Sequence, residues 1–193
     1  MNKKIYLLPL LLLVALFTTS CEETKEAGKY DNWQPRNQAF LDSLQNVYDT
    51  KPDHGGLKYF VPFTDVNMRI YYKVTTENTS GARPVIPDVV SVFYRGTYYT
   101  GEKFDQNFTE ENPSPFDKPN NFWVNPISMT NPPVAIPITG WIETLQQMRV
   151  GERWTVYLPW QMAYGEAGAK SIPGYSVLIF DMQLLDILED YFK

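Results

Sequence analysis

The segment 136–152 constrains the fold more than any other stretch, because it is predicted to be the only helix in the core of a strand-rich domain. Four apolar side chains recur at helical spacing and give it one apolar face: Trp141, Ile142, Leu145 and Met148. Thr139 is a candidate N-cap, and Gly151 lies where a left-handed C-terminal cap is expected. Trp141, at the start of this helix, is either an ordinary core residue or the floor of an apolar pocket.

The remaining periodic segments predict strands. Met68, Ile70, Tyr72 and Val74 alternate with polar or amphipathic residues, which is typical of a half-buried strand. Further strands are predicted at 89–94, 103–105, 153–158 and 177–185. Strands and helices do not alternate. The pattern therefore predicts an α+β fold, in which an antiparallel sheet of five or six strands packs against one short helix.

The first twenty residues are typical of an export signal. Lys3 and Lys4 precede an apolar run over 5–17, which is too short for a comfortable membrane span. Small residues then lead to Cys21, the only cysteine, in a pattern that resembles a bacterial lipoprotein signal. We expect a signal peptide at 1–20, a lipid attached to Cys21 and a tether at 21–34. An ordinary signal peptide with an incidental cysteine is the alternative.

Lipidation of Cys21 would hold the protein at a membrane surface without spanning the membrane. The acidic pair after Cys21 resembles the surface-export signals of some Gram-negative lipoproteins. The alternative is that these acidic residues only keep the tether soluble. The predicted location is therefore the cell envelope, on the periplasmic or surface side of a bacterial membrane, with the outer membrane favoured.

An N-terminal helical extension is predicted over 35–66. Pro35 suits a first helical turn, and the helix up to Tyr48 carries one apolar face. Phe40 and Leu44 on that face suggest a surface for dimerisation.

The segment 109–133 is predicted to be a long ordered loop. Its six prolines exclude a long helix or a central strand, and its aromatic residues are not typical of a disordered linker. One short edge strand is expected near 122–124.

Composition excludes several kinds of chemistry. The net charge of −5 and the sequence pI of 4.9 argue against a nucleic-acid partner. One cysteine and one histidine, His54, provide neither a disulfide nor a metal cluster, and His54 lies in a predicted turn. No Gly-x-Ser-x-Gly motif is present. An aromatic site without a group that titrates near neutral pH suits a reaction that needs no proton transfer.

The stretch from about Arg69 to Leu188 resembles the FKBP-type peptidyl-prolyl cis-trans isomerases. The matching motifs are Val92-Phe93-Tyr94-Arg95-Gly96, Gly101-Glu102-Lys103-Phe104-Asp105, Ile138-Thr139-Gly140-Trp141, Met148-Arg149-Val150-Gly151-Glu152, Ala163-Tyr164-Gly165, Ile172-Pro173 and Leu178-Ile179-Phe180-Asp181. The resemblance implies a half-barrel sheet wrapped around one short helix. It places the isomerase domain at 67–193, with an insertion at about 109–133.

The resemblance also implies the residues of the site. The substrate proline ring would rest on Trp141, and the flanking carbonyls would bond Tyr164 and the backbone amide of Ile138. The catalytic residues implied are Asp105, Tyr164, Phe180 and Tyr94. The residues implied to bind substrate are Trp141, Phe104, Ile138, Ile172 and Phe122. Phe116 and Trp123 are alternatives to Phe122, because the alignment within the insertion is not unique.

The function implied is rotation about X–Pro bonds in exported proteins at the cell envelope, without a metal or other cofactor. Proline-containing polypeptides would be the substrates, and FK506-like macrolides are possible ligands. The alternative is a binding or chaperone module with little isomerase turnover. The long insertion and Pro137, at a position where the family often has Val, motivate that alternative.

Overall fold

The computed structural model describes residues 28–127 and 134–188. The predicted signal peptide at 1–20 and the predicted lipid site at Cys21 lie outside the described residues. The chain divides into two compact units, Met1–Asp31 and Asn32–Lys193. In the described part of the first unit, the Asp31 carboxylate accepts a hydrogen bond from the Gly28 amide over 2.7 Å and closes a turn.

The second unit contains the described helices and strands. The two α-helices are α1 (Trp33–Thr50) and α2 (Thr139–Gln147), and short 3-10 turns occupy Pro52–Gly56 and Trp160–Met162. The strands are β1 (Lys58–Phe60), β2 (Ile70–Thr76), β3 (Val89–Tyr98), β4 (Lys103–Gln106), β5 (Asn120–Trp123), β6 (Arg153–Leu158) and β7 (Leu178–Ile187).

All described strands belong to one antiparallel sheet with the order β1-β2-β6-β7-β3-β4, and β5 pairs with β3 outside this path. The α+β prediction is confirmed, but the sheet has seven strands rather than five or six. The additional strand is β1, which lies within the segment predicted to be helical. A three-residue strand is too short to show the alternation by which β2 was identified.

Helix α2 packs into the main hydrophobic core, as its apolar face predicts. Trp141, Ile142, Leu145 and Met148 are all buried, together with alternate residues of the strands. The predicted cap was wrong. Ile138 is the N-cap, and its carbonyl accepts hydrogen bonds from the Trp141 and Ile142 amides, so Thr139 is already helical. Gly151 has a φ of 89°, but it lies beyond the C-cap residue Met148.

Helix α1 packs on the opposite face of the sheet. Ile70 joins the core around α2, whereas its neighbour Tyr71 packs with Leu44 of α1, as the alternation of side chains along a strand requires. Phe40 packs against the same cluster. The apolar face suggested for dimerisation therefore covers the protein's own sheet.

Buried polar contacts fix the start of α1. Asn37 is fully buried; it donates to the Trp33 carbonyl over 2.7 Å and accepts from the Val177 amide over 2.8 Å. The Trp33 indole donates to Ser176 Oγ over 3.0 Å. These bonds join the helix to the residues directly before β7. Within the described ranges, no helix is long and apolar enough to cross a membrane.

Candidate active site

A cavity of about 210 Å³ lies where the first turn of α2 meets the sheet. The strands β3, β4, β5 and β7 each contribute to it, as do the segment before α2 and the loop after β6. The residues that line it are Tyr94, Phe104, Asp105, Phe122, Ile136, Pro137, Ile138, Trp141, Tyr164 and Phe180.

Trp141 forms the centre of an aromatic cluster. Its ring meets the rings of Tyr94, Phe122 and Phe180 edge to face, at centroid distances of 5.0, 4.9 and 5.1 Å. This is the geometry that aromatic quadrupoles favour. Trp141 is only 4% exposed, and its indole N–H has no hydrogen-bond partner within the described residues. It therefore contributes an apolar surface to the cavity while it anchors α2 in the core.

Gly96 allows two aromatic walls to approach each other. It pairs with Asp105 on β4 and with Phe180 on β7. The Phe104 and Phe180 rings meet edge to face at 5.7 Å. A Cβ atom on Gly96 would lie 2.5 Å from the Phe104 ring and 2.9 Å from the Phe180 ring. The absence of a side chain at this strand position therefore determines the shape of one side of the cavity.

Two tyrosine hydroxyls lie among the residues of the cavity. Tyr94 donates a hydrogen bond to Asp105 Oδ2 over 2.9 Å. Burial raises the pKa of Tyr94, and the hydrogen bond to Asp105 raises it further. Burial also raises the pKa of Tyr164, with a smaller contribution from the Asp105 charge. Both hydroxyls therefore stay protonated at neutral pH and remain able to donate hydrogen bonds.

The cavity, its ring cluster and its motifs agree with the comparisons with known proteins. The profile of the family described as FKBP-type peptidyl-prolyl cis-trans isomerase matches residues 81–185. The chain belongs to this family. The match includes every residue that lines the cavity, so the aromatic cluster lies wholly within the FKBP-type domain.

Two curated relatives carry the same family description. The FKBP-type peptidyl-prolyl cis-trans isomerase FkpA of Aeromonas hydrophila is 38% identical over 118 residues, which are 61% of this chain and 38% of that protein. The FKBP-type 22 kDa peptidyl-prolyl cis-trans isomerase of Escherichia coli is 38% identical over 109 residues, which are 56% of this chain and 45% of that protein. The chain thus matches less than half the length of each relative.

A solved structure supports the fold. The crystal structure of FkpA from Escherichia coli aligns with a TM-score of 0.59 and 28% sequence identity. The alignment covers 82% of this chain and 62% of that chain. It therefore extends beyond the segment matched by the family profile.

The structure gathers eight of the nine predicted pocket residues around the FKBP cavity, and Ile172 is the exception. Ile172 packs at the edge of the core and exchanges two backbone hydrogen bonds with Ala169, but it does not line the cavity. Among the three aromatic candidates in the insertion, only Phe122 lines it. Phe116 is 94% exposed, and the Trp123 indole donates to the Pro87 carbonyl.

Sequence reasoning did not identify Ile136 and Pro137 as pocket residues. Both line the cavity beside Ile138, directly before α2. The available signal was the apolar run that leads into the helix, because a chain that enters α2 beside Trp141 must pass the cavity. We interpreted Pro137 only as a departure from the family pattern.

No described group of three or more His, Cys, Asp or Glu side chains is placed to hold a metal ion. His54 is exposed, its ring stacks on Tyr48 at 4.2 Å, and its Nδ1 lies 2.7 Å from the Tyr48 carbonyl. This geometry is that of a histidine that closes a turn, as its sequence context predicted.

Proposed function

We propose that this protein is a peptidyl-prolyl cis-trans isomerase that acts on proline-containing polypeptides without a metal or other cofactor. The observation that carries the proposal is the ring cluster around Trp141, which forms an apolar cavity bordered by hydrogen-bond donors. Its volume of about 210 Å³ is below the roughly 300–1,000 Å³ that drug-sized ligands occupy, and suits one small ring. An FK506-like macrolide would insert only part of its structure there.

The chemical task is rotation about a partial double bond. The barrier for an X–Pro amide is about 18–20 kcal/mol, because twisting removes amide resonance, and the uncatalysed change takes tens to hundreds of seconds. A protein accelerates it by binding the twisted amide more tightly than the planar one. A gain of about 7 kcal/mol corresponds to an acceleration on the order of 10⁵.

The aromatic walls supply the first part of this preference. The proline ring would rest on Trp141, among the rings of Phe180, Phe122 and Phe104, all of which line the cavity. An apolar cavity solvates the planar and more dipolar amide poorly, whereas the twisted amide has less charge separation. Exclusion of water by the rings therefore favours the twisted form.

Polar groups at the border of the cavity supply the second part. The Tyr164 hydroxyl and the Ile138 amide are donors for the carbonyls that flank the proline. Ile138 is the N-cap residue of α2, and its amide makes no hydrogen bond to the described part of the chain. Asp105, held by Tyr94, would orient the strand of substrate that leaves the pocket. None of these groups transfers a proton.

The test is isomerisation of a tetrapeptide that contains one Leu-Pro bond, measured by NMR exchange with and without the protein. We expect faster exchange with the protein, and loss of the acceleration in Asp105→Leu combined with Phe180→Tyr. Unchanged exchange with the wild-type protein would refute the proposal. Full acceleration by the double variant would refute the assigned roles of these residues.

A second function is holding unfolded polypeptides with little turnover. Two exposed phenylalanines favour it: Phe63 is 92% exposed and Phe116 is 94% exposed. Suppression of aggregation of an unfolding protein would test it. Suppression that is lost in Phe63→Ser combined with Phe116→Ser, while isomerisation is retained, would assign this function to the exposed rings.

We also propose that Cys21 carries a lipid and that the protein works at the cell envelope, with the outer membrane favoured. The support is the sequence alone: a basic start, an apolar run and small residues before Cys21. Mass spectrometry of the protein from bacterial membranes should show acylation at Cys21. A Cys21→Ala variant should remain unacylated, and a wild-type protein with a free Cys21 thiol would contradict the proposal.

A further inference from the structure

A second and larger cavity, of about 440 Å³, lies beside α1. Helix α1 forms one wall with Gln38, Asp42 and Gln45, and the segment before β2 forms the other wall with Asp65 and Asn67. Gln161, in the 3-10 turn after β6, lies at its end. We call this cavity the acidic groove. It shares no residue with the Trp141 cavity.

The groove presents exposed hydrogen-bonding groups. Gln45, Asn67 and Gln161 are exposed, and their side-chain amides make no hydrogen bond to the described part of the chain. Tyr71 also lines the groove; it is only 5% exposed, and its hydroxyl has no partner of normal geometry within the described residues. The Tyr71 hydroxyl raises the pKa of the neighbouring Arg69 guanidinium. The two groups nevertheless do not meet the distance and angle limits of a hydrogen bond.

These groups match an extended polypeptide. Each side-chain amide presents a donor and an acceptor, and so does each residue of a peptide backbone. Asp42 and Asp65 add two carboxylates, whereas Arg69 is the only cationic side chain in the groove. The Arg69 guanidinium lies 4.5 Å from the Tyr59 ring centroid, in a cation–π contact. The remaining negative charge favours a ligand with basic side chains.

One residue of the acidic groove and one residue of the isomerase pocket are close in sequence. Gln161 lines the groove and Tyr164 lines the pocket, so their Cα atoms are at most about 11 Å apart. Met162, between them, accepts a hydrogen bond from Thr64 at 3.9 Å. Thr64 belongs to the same segment as Asp65, so the wall of the groove contacts the loop that carries Tyr164.

The same segment is tied to α2. The Phe63 and Thr64 amides donate to the Glu143 carboxylate over 3.1 and 3.0 Å, and Glu143 is buried in α2. This anchorage fixes the segment beside the helix that carries Trp141. The hydrogen bonds to Glu143 therefore join the segment that carries Asp65 to the helix that carries Trp141.

We propose that the acidic groove binds the basic flank of a client polypeptide whose proline occupies the isomerase pocket. The proposal rests on the proposed isomerase function for the pocket and adds a substrate class, extended chains with Lys or Arg several residues from the proline. A tetrapeptide with one Leu-Pro bond and no Lys or Arg offers no basic flank, so the groove affects only substrates that carry one.

The first test measures binding without isomerisation. Labelled proline-free peptides of about ten residues, which extend to about 35 Å, carry either two lysines or two glutamines. We expect the lysine peptide to bind about fivefold more tightly in low salt, and expect the difference to vanish in high salt. The variant Asp42→Asn/Asp65→Asn should bind both peptides alike, whereas the control Glu77→Gln/Glu110→Gln, altered outside the groove, should keep the preference.

The second test adds a Leu-Pro bond to the same peptides and follows its isomerisation. The lysine peptide should show a kcat/KM about fivefold higher than the glutamine peptide, only when Asp42 and Asp65 are intact. Tetrapeptide turnover should be equal in all variants. The proposed binding role of the groove would be overturned by equal binding of the two proline-free peptides to wild-type protein. It would also be overturned by a lysine preference that survives in the variant Asp42→Asn/Asp65→Asn. If the wild-type protein does not accelerate the tetrapeptide but still binds the lysine peptide preferentially, the isomerase function is refuted. The groove would then remain supported as a peptide-binding site.

Discussion

The Tyr94 hydroxyl donates a hydrogen bond to the Asp105 carboxylate over 2.9 Å at the border of the cavity. The bond joins β3 to β4 beside Gly96, the strand partner of Asp105. One residue of the pair is a wall of the ring cluster and the other is exposed. The contact therefore holds a carboxylate in a fixed position above the apolar floor of the cavity. Its role in the proposed function is to orient the substrate, and it transfers no proton.

The first prediction concerns stability at high pH. The folded protein raises the pKa of Tyr94 above its ordinary value of about 10, chiefly through burial. Below pH 10 the phenol is protonated in both states, and its contribution to stability is complete. Above pH 10 the unfolded chain loses the proton first, so the free energy of unfolding should fall as pH rises.

The slope from one such tyrosine is at most about 1.4 kcal/mol per pH unit, and less for a half-exposed ring that solvent screens. Urea unfolding of Tyr94→Phe between pH 10 and 11.5 should show a shallower decline than the wild-type protein. The control is Tyr30→Phe, which alters an exposed tyrosine outside the cavity. Parallel declines in wild type and Tyr94→Phe would contradict the assignment.

The second prediction separates the two roles of Trp141. Trp141 and Trp154 are both 4% exposed, both have an indole N–H without a partner in the described chain, and both contact aromatic rings. Only Trp141 lines the cavity. Replacement of either by Leu should reduce the free energy of unfolding by about 2–4 kcal/mol, because a large buried side chain is lost.

Isomerisation should distinguish the two variants. At a temperature where both are folded, Trp141→Leu should lose about 10- to 100-fold in kcat/KM, since several ring contacts to the proline disappear. Trp154→Leu should retain the wild-type rate. Equal rates for the two variants would mean that Trp141 is only a core residue, which was the first alternative that its sequence position suggested.

The sequence predicted those parts of the fold that repeat a local pattern. The helical spacing around Trp141 placed α2 in the core, alternation placed β2 and β6, and apolar runs placed β3 and β7. Family motifs supplied the ring residues other than Phe122, since each of those lies in or beside a motif. Ile172 was expected in the pocket because it belongs to such a motif, but its position also depends on the loop after Tyr164, and local spacing does not determine that loop.

Long-range contacts were not predictable in the same way. Phe122 could not be separated from Phe116 and Trp123, because only the pairing of Val90 with Phe122 turns that ring toward Trp141. Likewise, the apolar face of α1 was clear in sequence, but its partner was not. Tyr71 and Phe40 join one cluster only because β2 exposes alternate residues to opposite helices.

The third prediction concerns the polar anchor of α1. Asn37→Ala removes a bond to the Trp33 carbonyl and one from the Val177 amide, both of which are buried. The unsatisfied groups should lower the free energy of unfolding by about 2–3 kcal/mol. Asn46→Ala, on the exposed part of the same helix, should change it by less than about 0.5 kcal/mol. Denaturant unfolding of both variants provides the measurement, and similar losses for the two would rule out a special role for the anchor.

The last prediction uses two glycines, Gly96 within β3 and Gly101 in the turn between β3 and β4. Gly96→Ala places a methyl group within 2.9 Å of the Phe104 and Phe180 rings, so at least one of these two cavity walls must move. We expect a stability loss of about 1–3 kcal/mol from overpacking and at least a tenfold loss of isomerisation.

Gly101→Ala has open space around its methyl group, but its φ of 85° is strained for alanine. It should cost about 1–2 kcal/mol while the rate stays at the wild-type level. The two variants are expected to lose similar amounts of stability, but only Gly96→Ala changes the shape of the cavity. A normal rate in Gly96→Ala would show that the Phe104 and Phe180 walls yield without closing the cavity, and an equal loss in Gly101→Ala would mean that the rate follows stability rather than the space above Trp141.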